Sequence, residues 1–150
     1  ARPDPVWRRM SPHAFGYDGF RWHARAYCHI SDKFKDFILP RILETRLPGP
    51  SGSDAQDDLV WLERVDVEIA PHPALTDNQK LVVAKDYGMT GQKAVLSVRC
   101  AMLFYVLKRL GLLRKAENEP PRAQHIVLLN KEPVLAALKR ADAADMTELL

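Results

Sequence analysis

Apolar and polar residues alternate strictly from Gly19 to His29 of this 150-residue chain. One side of the stretch is apolar, with Phe20, Trp22, Ala24, Ala26 and Cys28, and the other is rich in hydrogen-bond donors, with Arg21, His23, Arg25, Tyr27 and His29. A period of two residues is the pattern of a β-strand. Turn signals at Asp18-Gly19 and Ser31-Asp32 lie on either side of it. The first block of the chain is therefore predicted to form three β-strands joined by hairpins.

The middle of the chain loses this periodicity, and the rest changes it repeatedly. Residues 48–58, PGPSGSDAQDD, have the composition of an exposed linker. Beyond them, strand patterns occur in VWLERVDVEIAPH, KAVLSVR and HIVLLN. Helical patterns alternate with them, at residues 77–87 behind a capping Thr76, at residues 103–110, and from Glu132-Pro133 onward. The alternation predicts a small α/β sandwich with helices on one face of a sheet.

The composition is that of a globular chain, with 47% hydrophobic and 27% charged residues. The longest apolar run falls well short of the roughly 20 residues of a membrane helix, and the N-terminus lacks the pattern of a signal peptide. Two cysteines are too few for a disulfide framework, which predicts reduced, buried thiols and a cytoplasmic location.

Charge is distributed unevenly between the two blocks. Residues 1–50 carry nine basic and five acidic side chains, a net charge of +4. Residues 51–150 carry thirteen and fourteen, a net charge of −1. The basic excess coincides with the donor-rich strand, so an anionic partner is expected at the first block.

The first block resembles the WYL domain, an Sm-like β-barrel of bacterial transcriptional regulators. The resemblance rests on RRMSPHAFGYDGFRWHARAYCH followed by FKDFILPRI, with Trp22-His23-Ala24 at the place of the family's Trp-Tyr-Leu. This pattern is typical of the subset of regulators associated with phage-defence gene clusters. The second block, with PHPALT, DYGM, AMLFYVLKRLGL and HIVLLN, resembles the C-terminal extension domain of that subset.

This resemblance implies a fold class and a domain order. It implies an Sm-like (SH3-like) barrel over residues 1–47 whose first strand is missing, the linker at 48–58, and a small ferredoxin-like α/β sandwich over residues 59–150. Members of the family normally begin with a winged helix-turn-helix, so DNA is expected to bind through a domain upstream of this chain. A second copy is expected to cover the open edge. The contacts of the homodimer are expected to come largely from the second block or from exchange between blocks.

The resemblance also implies a ligand pocket, whose positions match Ser11, His13, Arg25, Tyr27 and Arg41. These side chains suit an anionic effector such as a nucleotide or short oligonucleotide, because guanidinium forks and hydroxyls bind phosphate and a tyrosine stacks on a base. Strand register decides whether they meet. A two-residue turn at Asp18-Gly19 separates them onto opposite faces. A longer loop or a bulge puts Ser11 opposite Tyr27 and His13 opposite Arg25.

Neighbouring residues have simpler interpretations. Arg21, His23 and His29 are expected on the solvated outer face of the sheet, and Phe20, Trp22 and Phe37 in its core. The sequence has no evident Ser-His-Asp arrangement, no Gly-rich phosphate loop and no zinc-ligand spacing. We therefore expect neither an enzyme nor a bound metal or cofactor.

Three functions remain open from the sequence. The preferred one is the effector-sensing and dimerisation region of a transcriptional regulator, which controls DNA binding by the upstream domain. The alternative is an Sm-like module that binds single-stranded nucleic acid directly, with a steep dependence on salt. The third is a purely structural dimerisation domain without a ligand. No membrane partner is expected.

Overall fold

The computed structural model describes residues 4–141, which divide between Leu59 and Val60 into two compact units. Each unit contains one antiparallel sheet of three strands, so the chain combines β-sheets with a few helices. Neither sheet closes into a barrel within the part of the chain that the structure describes. No helix of residues 4–141 has both the length and the apolar character needed to cross a bilayer.

Three strands form the sheet of the first unit, as the alternating pattern predicts. They are β1 (Met10–Tyr17), β2 (Trp22–Cys28) and β3 (Lys33–Ile38), in the order β1-β2-β3. Two short 3-10 turns follow, at Leu39–Arg41 and Ala55–Asp57. Because β2 is hydrogen-bonded along both of its edges, only its two faces remain for other parts of the chain to cover.

The β1-β2 connection is a four-residue loop, since Tyr17 pairs with Trp22. Asp18 organises this loop: its carboxylate accepts hydrogen bonds from the main-chain N–H groups of Phe20 at 2.7 Å and Arg21 at 2.6 Å. His23 Nε2 lies 2.7 Å from the same carboxylate. Gly19 has a φ of 92°, a conformation that glycine adopts without steric cost. The loop is thus longer than a two-residue turn.

The register between β1 and β2 agrees with the pocket hypothesis at Ser11, but the predicted pairing of His13 with Arg25 was wrong. Ser11 lies opposite Tyr27, and a bulge follows between Pro12 and Ala14. His13 is the extra residue of that bulge, so Arg25 faces Ala14 rather than His13. The bulge re-aims the His13 side chain, which is a common use of this irregularity.

Burial in β2 and the loop before it corrects two core assignments made from the alternating pattern. Ala24, Ala26 and Cys28 are buried as expected, but Phe20 is 86% exposed and Trp22 53% exposed, so the prediction that both are core was wrong. Phe20 lies in the loop, and Trp22 instead pairs with Tyr17 across the strands, with ring centroids 5.3 Å apart.

His23 was predicted on the solvated face, yet it is 1% exposed, because it packs against the Asp18 carboxylate. Arg21 and His29 are partly buried rather than fully solvated, and Phe37 is half-buried. Both cysteines, Cys28 and Cys100, are free and buried, as predicted.

The second unit follows the predicted alternation of strands and helices. Its elements are α1 (Leu59–Leu62, which begins at the boundary), β4 (Arg64–Pro71), α2 (Asp77–Asp86), β5 (Ala94–Arg99), α3 (Leu103–Arg109), β6 (Ile126–Leu128) and α4 (Lys131–Arg140), with 3-10 turns at Cys100–Met102 and Ala116–Asn118. The sheet has the order β5-β4-β6, with β4 antiparallel to both neighbours. The expected fraying after Ala141 lies outside the described residues.

One hydrophobic cluster holds the second unit together. Val67 and Ile69 of β4 pack with Leu103 and Leu107 of α3, and the cluster continues into Val134, Ala137 and Leu138 of α4. The start of α2 is fixed by a capping box, in which the Thr76 side chain accepts from the Gln79 N–H and the Gln79 side chain accepts from the Thr76 N–H. The predicted cap and helix are confirmed.

The carboxylate of Asp18 is expected to stabilise the first unit measurably. Asp18→Ala removes the acceptor of two main-chain N–H groups and of a buried imidazole, which costs about 1–3 kcal/mol. The measurement is urea unfolding followed at the amides of β1 and β2 by NMR. Asp4→Ala, which changes an exposed carboxylate, serves as the control.

This contribution depends on pH in a defined direction. Burial alone raises the pKa of Asp18, but hydrogen bonds from His23, Arg21 and Phe20 outweigh it and hold that pKa well below its usual value. The stabilisation is therefore present above the unfolded pKa of about 3.9 and is lost as the pH falls through the lower folded value. Equal stability of Asp18→Ala and the wild type at neutral pH would contradict this account.

Candidate functional site

Arg25 lies in the middle of the central strand, and its side chain is only 8% exposed. A buried guanidinium needs a carboxylate partner, and Asp58 supplies it. Arg25 Nε donates to Asp58 Oδ2 at 2.7 Å, and Nη2 donates to Oδ1 at 2.9 Å. The two parallel bonds form a bidentate pair, and the Asp58 side chain is 1% exposed.

A second carboxylate reaches Arg25 from the neighbouring strand. Asp36 of β3 lies directly opposite Arg25 in the ladder, and its Oδ1 accepts from Arg25 Nη1 at 3.2 Å. Burial lowers the pKa of Arg25, but the hydrogen bond to Asp58 and the charges of Asp36 and Asp58 outweigh burial and raise it. The guanidinium is therefore held as a cation between two anions.

His13 joins the same group through the bulge in β1. Its Nε2 donates to Asp58 Oδ2 at 2.9 Å, so this oxygen accepts from both His13 and Arg25. The imidazole also packs edge-on against Phe34, with ring centroids 5.5 Å apart. Asp58 is thus the acceptor that brings two of the predicted pocket residues together.

Ser11 belongs to a second polar group on the same face of the sheet. Its hydroxyl donates to the carbonyl oxygen of Ser51, which leaves the Ser11 oxygen to accept from His29 Nε2 at 2.8 Å. The Tyr27 ring packs edge-on against His29 at 5.0 Å and against Phe34 at 5.2 Å. Ser11, Tyr27 and His13 are therefore connected through the two intervening rings.

Residues 50–58, which we call the strap, lie along this face. Besides the contacts of Ser51 and Asp58, the Pro50 carbonyl accepts from Arg9 Nη2 at 2.7 Å. Gly52 has a φ of 68°, and a Cβ at this position would lie 3.3 Å from Arg9 Nη2 and 3.4 Å from His29. The positive φ favours glycine at position 52, and the strap lies close to the side chains of Arg9 and His29, although its composition is that of a linker.

The fifth predicted pocket residue stands apart from this arrangement. Arg41 is exposed at the end of the Leu39–Arg41 turn. Within residues 4–141 the structure records no hydrogen bond or ion pair of its guanidinium. Ser11, His13, Arg25 and Tyr27 are brought onto one face, whereas Arg41 keeps a free fork at the surface.

The serine, histidines and carboxylate of this face form two separate contacts in the described part of the chain. Ser11 contacts His29, whereas Asp58 contacts His13. His13, His23 and His29 each have a different partner. Among the described residues, no group of three or more His, Cys, Asp or Glu side chains is placed to hold a metal ion.

Sequence patterns missed three members of the site. Asp58 lies at the end of a segment that has the composition of a linker. Asp36 lies among the other charged residues of β3. His29 falls on the side of the alternating pattern that was expected to face solvent. One signal was present: an arginine in the middle of a strand with buried neighbours requires a carboxylate from elsewhere in the chain. Its identity depends on a contact 33 positions away, which no periodicity encodes.

Comparison with protein families relates the second unit to a known class of domain. Residues 64–134 match the family described as BrxR transcriptional regulator, C-terminal dimerization domain. This match covers β4 to the first turn of α4 and most of the hydrophobic cluster, of which Ala137 and Leu138 lie beyond it. The second unit is thus similar to a dimerisation domain of transcriptional regulators.

Comparison with curated proteins extends this relation to both units. The chain is 43% identical over 134 residues to the DNA-binding transcriptional repressor CapW of Stenotrophomonas maltophilia, covering 88% of this chain and 44% of that protein. The CapW repressors of Escherichia coli strain KTE188 and Pseudomonas aeruginosa are 35% and 36% identical, with 89% and 88% of this chain and 44% of each protein covered. The chain spans less than half the length of these relatives, and their names describe repressors rather than enzymes.

Loss of the Arg25 guanidinium is expected to destabilise the first unit strongly. Arg25→Ala leaves two carboxylates next to each other in a buried position, and breaking a buried ion pair from one side costs about 3–5 kcal/mol. The measurement is chemical unfolding of the first unit, followed by NMR at β2 and β3. Arg41→Ala, an exposed change of the same kind, is expected to alter stability by less than about 0.5 kcal/mol; a similar loss in both variants would contradict the assignment.

Proposed function

We propose that this chain is the effector-sensing and dimerisation region of a bacterial transcriptional repressor associated with phage defence. The observation that carries the proposal is the match of residues 64–134 to a regulator dimerisation domain, within a chain 43% identical to a DNA-binding repressor. DNA binding itself belongs to an N-terminal winged helix-turn-helix beyond this chain. Two copies joined through the second unit would present two such domains to a two-fold DNA site.

The finer architecture is part of the proposal. In this proposal residues 1–47 belong to a WYL domain with an Sm-like barrel, and residues 59–150 belong to a ferredoxin-like extension domain. The three-stranded antiparallel sheet of the first unit supports the former. The sheet order β5-β4-β6, with α3 and α4 sharing its buried cluster, supports the latter.

The effector in this proposal is an anionic nucleotide or short oligonucleotide bound at Ser11, His13, Arg25, Tyr27 and Arg41. Support comes from the donors gathered on one face of the sheet. Three of the five N–H groups of Arg25 are engaged by Asp36 and Asp58. The Tyr27 ring offers a contact to a base, and the exposed guanidinium of Arg41 offers a contact to a phosphate.

Direct binding of single-stranded nucleic acid is a second candidate, and one observation favours it. The β1-β2 hairpin exposes four aromatic side chains, Phe15, Tyr17, Phe20 and Trp22, on which bases could stack. Affinity for long single strands that falls steeply with salt would support this function. Saturation by a dinucleotide, with no gain from longer strands, would support effector sensing.

The dimerisation part of the proposal predicts the state of the chain in solution. Sedimentation equilibrium at micromolar concentration is expected to give twice the 17.0 kDa mass of one chain, because an isologous interface on the second unit is self-complementary. Residues 60–150 alone provide the matched comparison, and they should dimerise as well. A monomer in both cases would contradict a dimer-based control of DNA binding.

A further inference from the structure

The bidentate ion pair of the first unit joins its sheet to the strap. Asp58 binds the side of the Arg25 guanidinium with both carboxylate oxygens, and it also accepts from His13. The strap is held upstream by Arg9 and Ser11, which donate to the carbonyl oxygens of Pro50 and Ser51. Arg25, His13 and Ser11 are also the donors that the proposed effector would use.

We propose that Asp58 is an internal competitor for the anionic effector: its carboxylate occupies the Arg25 fork and the His13 donor until a phosphate group of the effector displaces it. The proposal rests on the effector site proposed above and adds its regulation. A carboxylate and a phosphate bind an arginine fork with the same bidentate geometry, so either anion fits this position. Both cannot bind there at once.

The tether gives the internal anion an advantage over weak ligands. Asp58 is connected to the sheet by a short chain segment, so its local concentration at Arg25 corresponds to roughly the millimolar range or above. Simple anions at lower concentration cannot displace it. A ligand that adds a second phosphate contact or a stacked base gains enough interaction to do so, and the competition thereby selects nucleotides over isolated phosphate.

Displacement of Asp58 has a consequence for the chain segment that follows it. Asp58 directly precedes Leu59, and the division between the two units falls after Leu59. An effector that removes Asp58 from Arg25 releases the last point at which the strap is fixed before the second unit begins. The occupancy of the fork is thereby coupled to the freedom of the connection to the dimerisation unit.

The first test compares two isosteric variants of adjacent residues. Asp58→Asn removes the charge of the internal anion and keeps one oxygen that can accept from Arg25, in a side chain of the same shape. Asp57→Asn makes the same change of net charge at an exposed neighbour in the strap. Binding of the 5′-phosphorylated dinucleotide pTpT is measured by calorimetry for both variants and for the wild type, with the fold of each checked by NMR.

The expected result is a dissociation constant at least about tenfold lower for Asp58→Asn than for the wild type, a difference of about 1.4 kcal/mol. Asp57→Asn should differ from the wild type by less than about twofold, since its charge is exposed and screened. Equal tightening in both variants would reduce the effect to net charge and overturn the competition. Binding to all three proteins with equal affinity would overturn it as well, and would indicate that pTpT uses other N–H groups of Arg25.

A second test uses the wild-type chain alone, so it does not depend on the folding of any variant. Hydrogen exchange of the strap amides is measured with and without saturating pTpT. Competition predicts faster exchange at residues 55–58 in the complex while the amides of β2 stay protected. Binding of pTpT with an unchanged or more protected strap would refute the displacement but leave the effector site standing. Failure of pTpT to bind both the wild type and Asp58→Asn would instead reject the proposed effector site itself.

Discussion

A buried arginine between two carboxylates is the constraint on which the first unit depends. Arg25 lies on the central strand, where both ladder edges are used and the side chain is almost wholly buried. Its charge can be tolerated there only if anions accompany it, and Asp36 and Asp58 do so from the neighbouring strand and from the strap. Asp36 comes with the sheet. Asp58 requires the strap to cross the sheet, so this ion pair, together with the hydrogen bonds from Arg9 and Ser11, holds a segment that has the composition of a linker.

The elements that periodicity encodes were predictable, and the contacts made across the sequence were not. The strands of the first sheet and the capped helix α2 follow from alternation and from the Thr76 signal. The register was predicted only in part: a longer loop and a bulge bring Ser11 opposite Tyr27, but the bulge falls at His13, so Ala14 and not His13 lies opposite Arg25. The burial of Trp22 and His23 was predicted in reverse, because alternation assigns faces but not what covers each face. His23 is buried by a loop carboxylate five residues away, and Asp58 reaches Arg25 from 33 residues away.

The two units divide the physical tasks of the chain. The second unit is held together by aliphatic packing around β4, α3 and α4, and its similarity is to a dimerisation domain. The first unit instead concentrates buried polar groups on one face of a small sheet. Buried polar networks are costly where they are incompletely satisfied. The first unit therefore depends on its ion pairs, and the second on its hydrophobic contacts.

The coupling free energy between Arg25 and Asp58 tests the central claim most directly. A double-mutant cycle of Arg25→Met and Asp58→Leu, read by chemical unfolding of the first unit, reports the interaction of this pair alone. The account predicts that each single change lowers the free energy of unfolding by about 3–5 kcal/mol. The loss in the double variant should be smaller than the sum of the two single losses by about 3 kcal/mol, which is the coupling free energy. The same cycle with Asp57→Leu in place of Asp58→Leu should be additive. Additivity within about 0.5 kcal/mol for Arg25 and Asp58 would contradict the account.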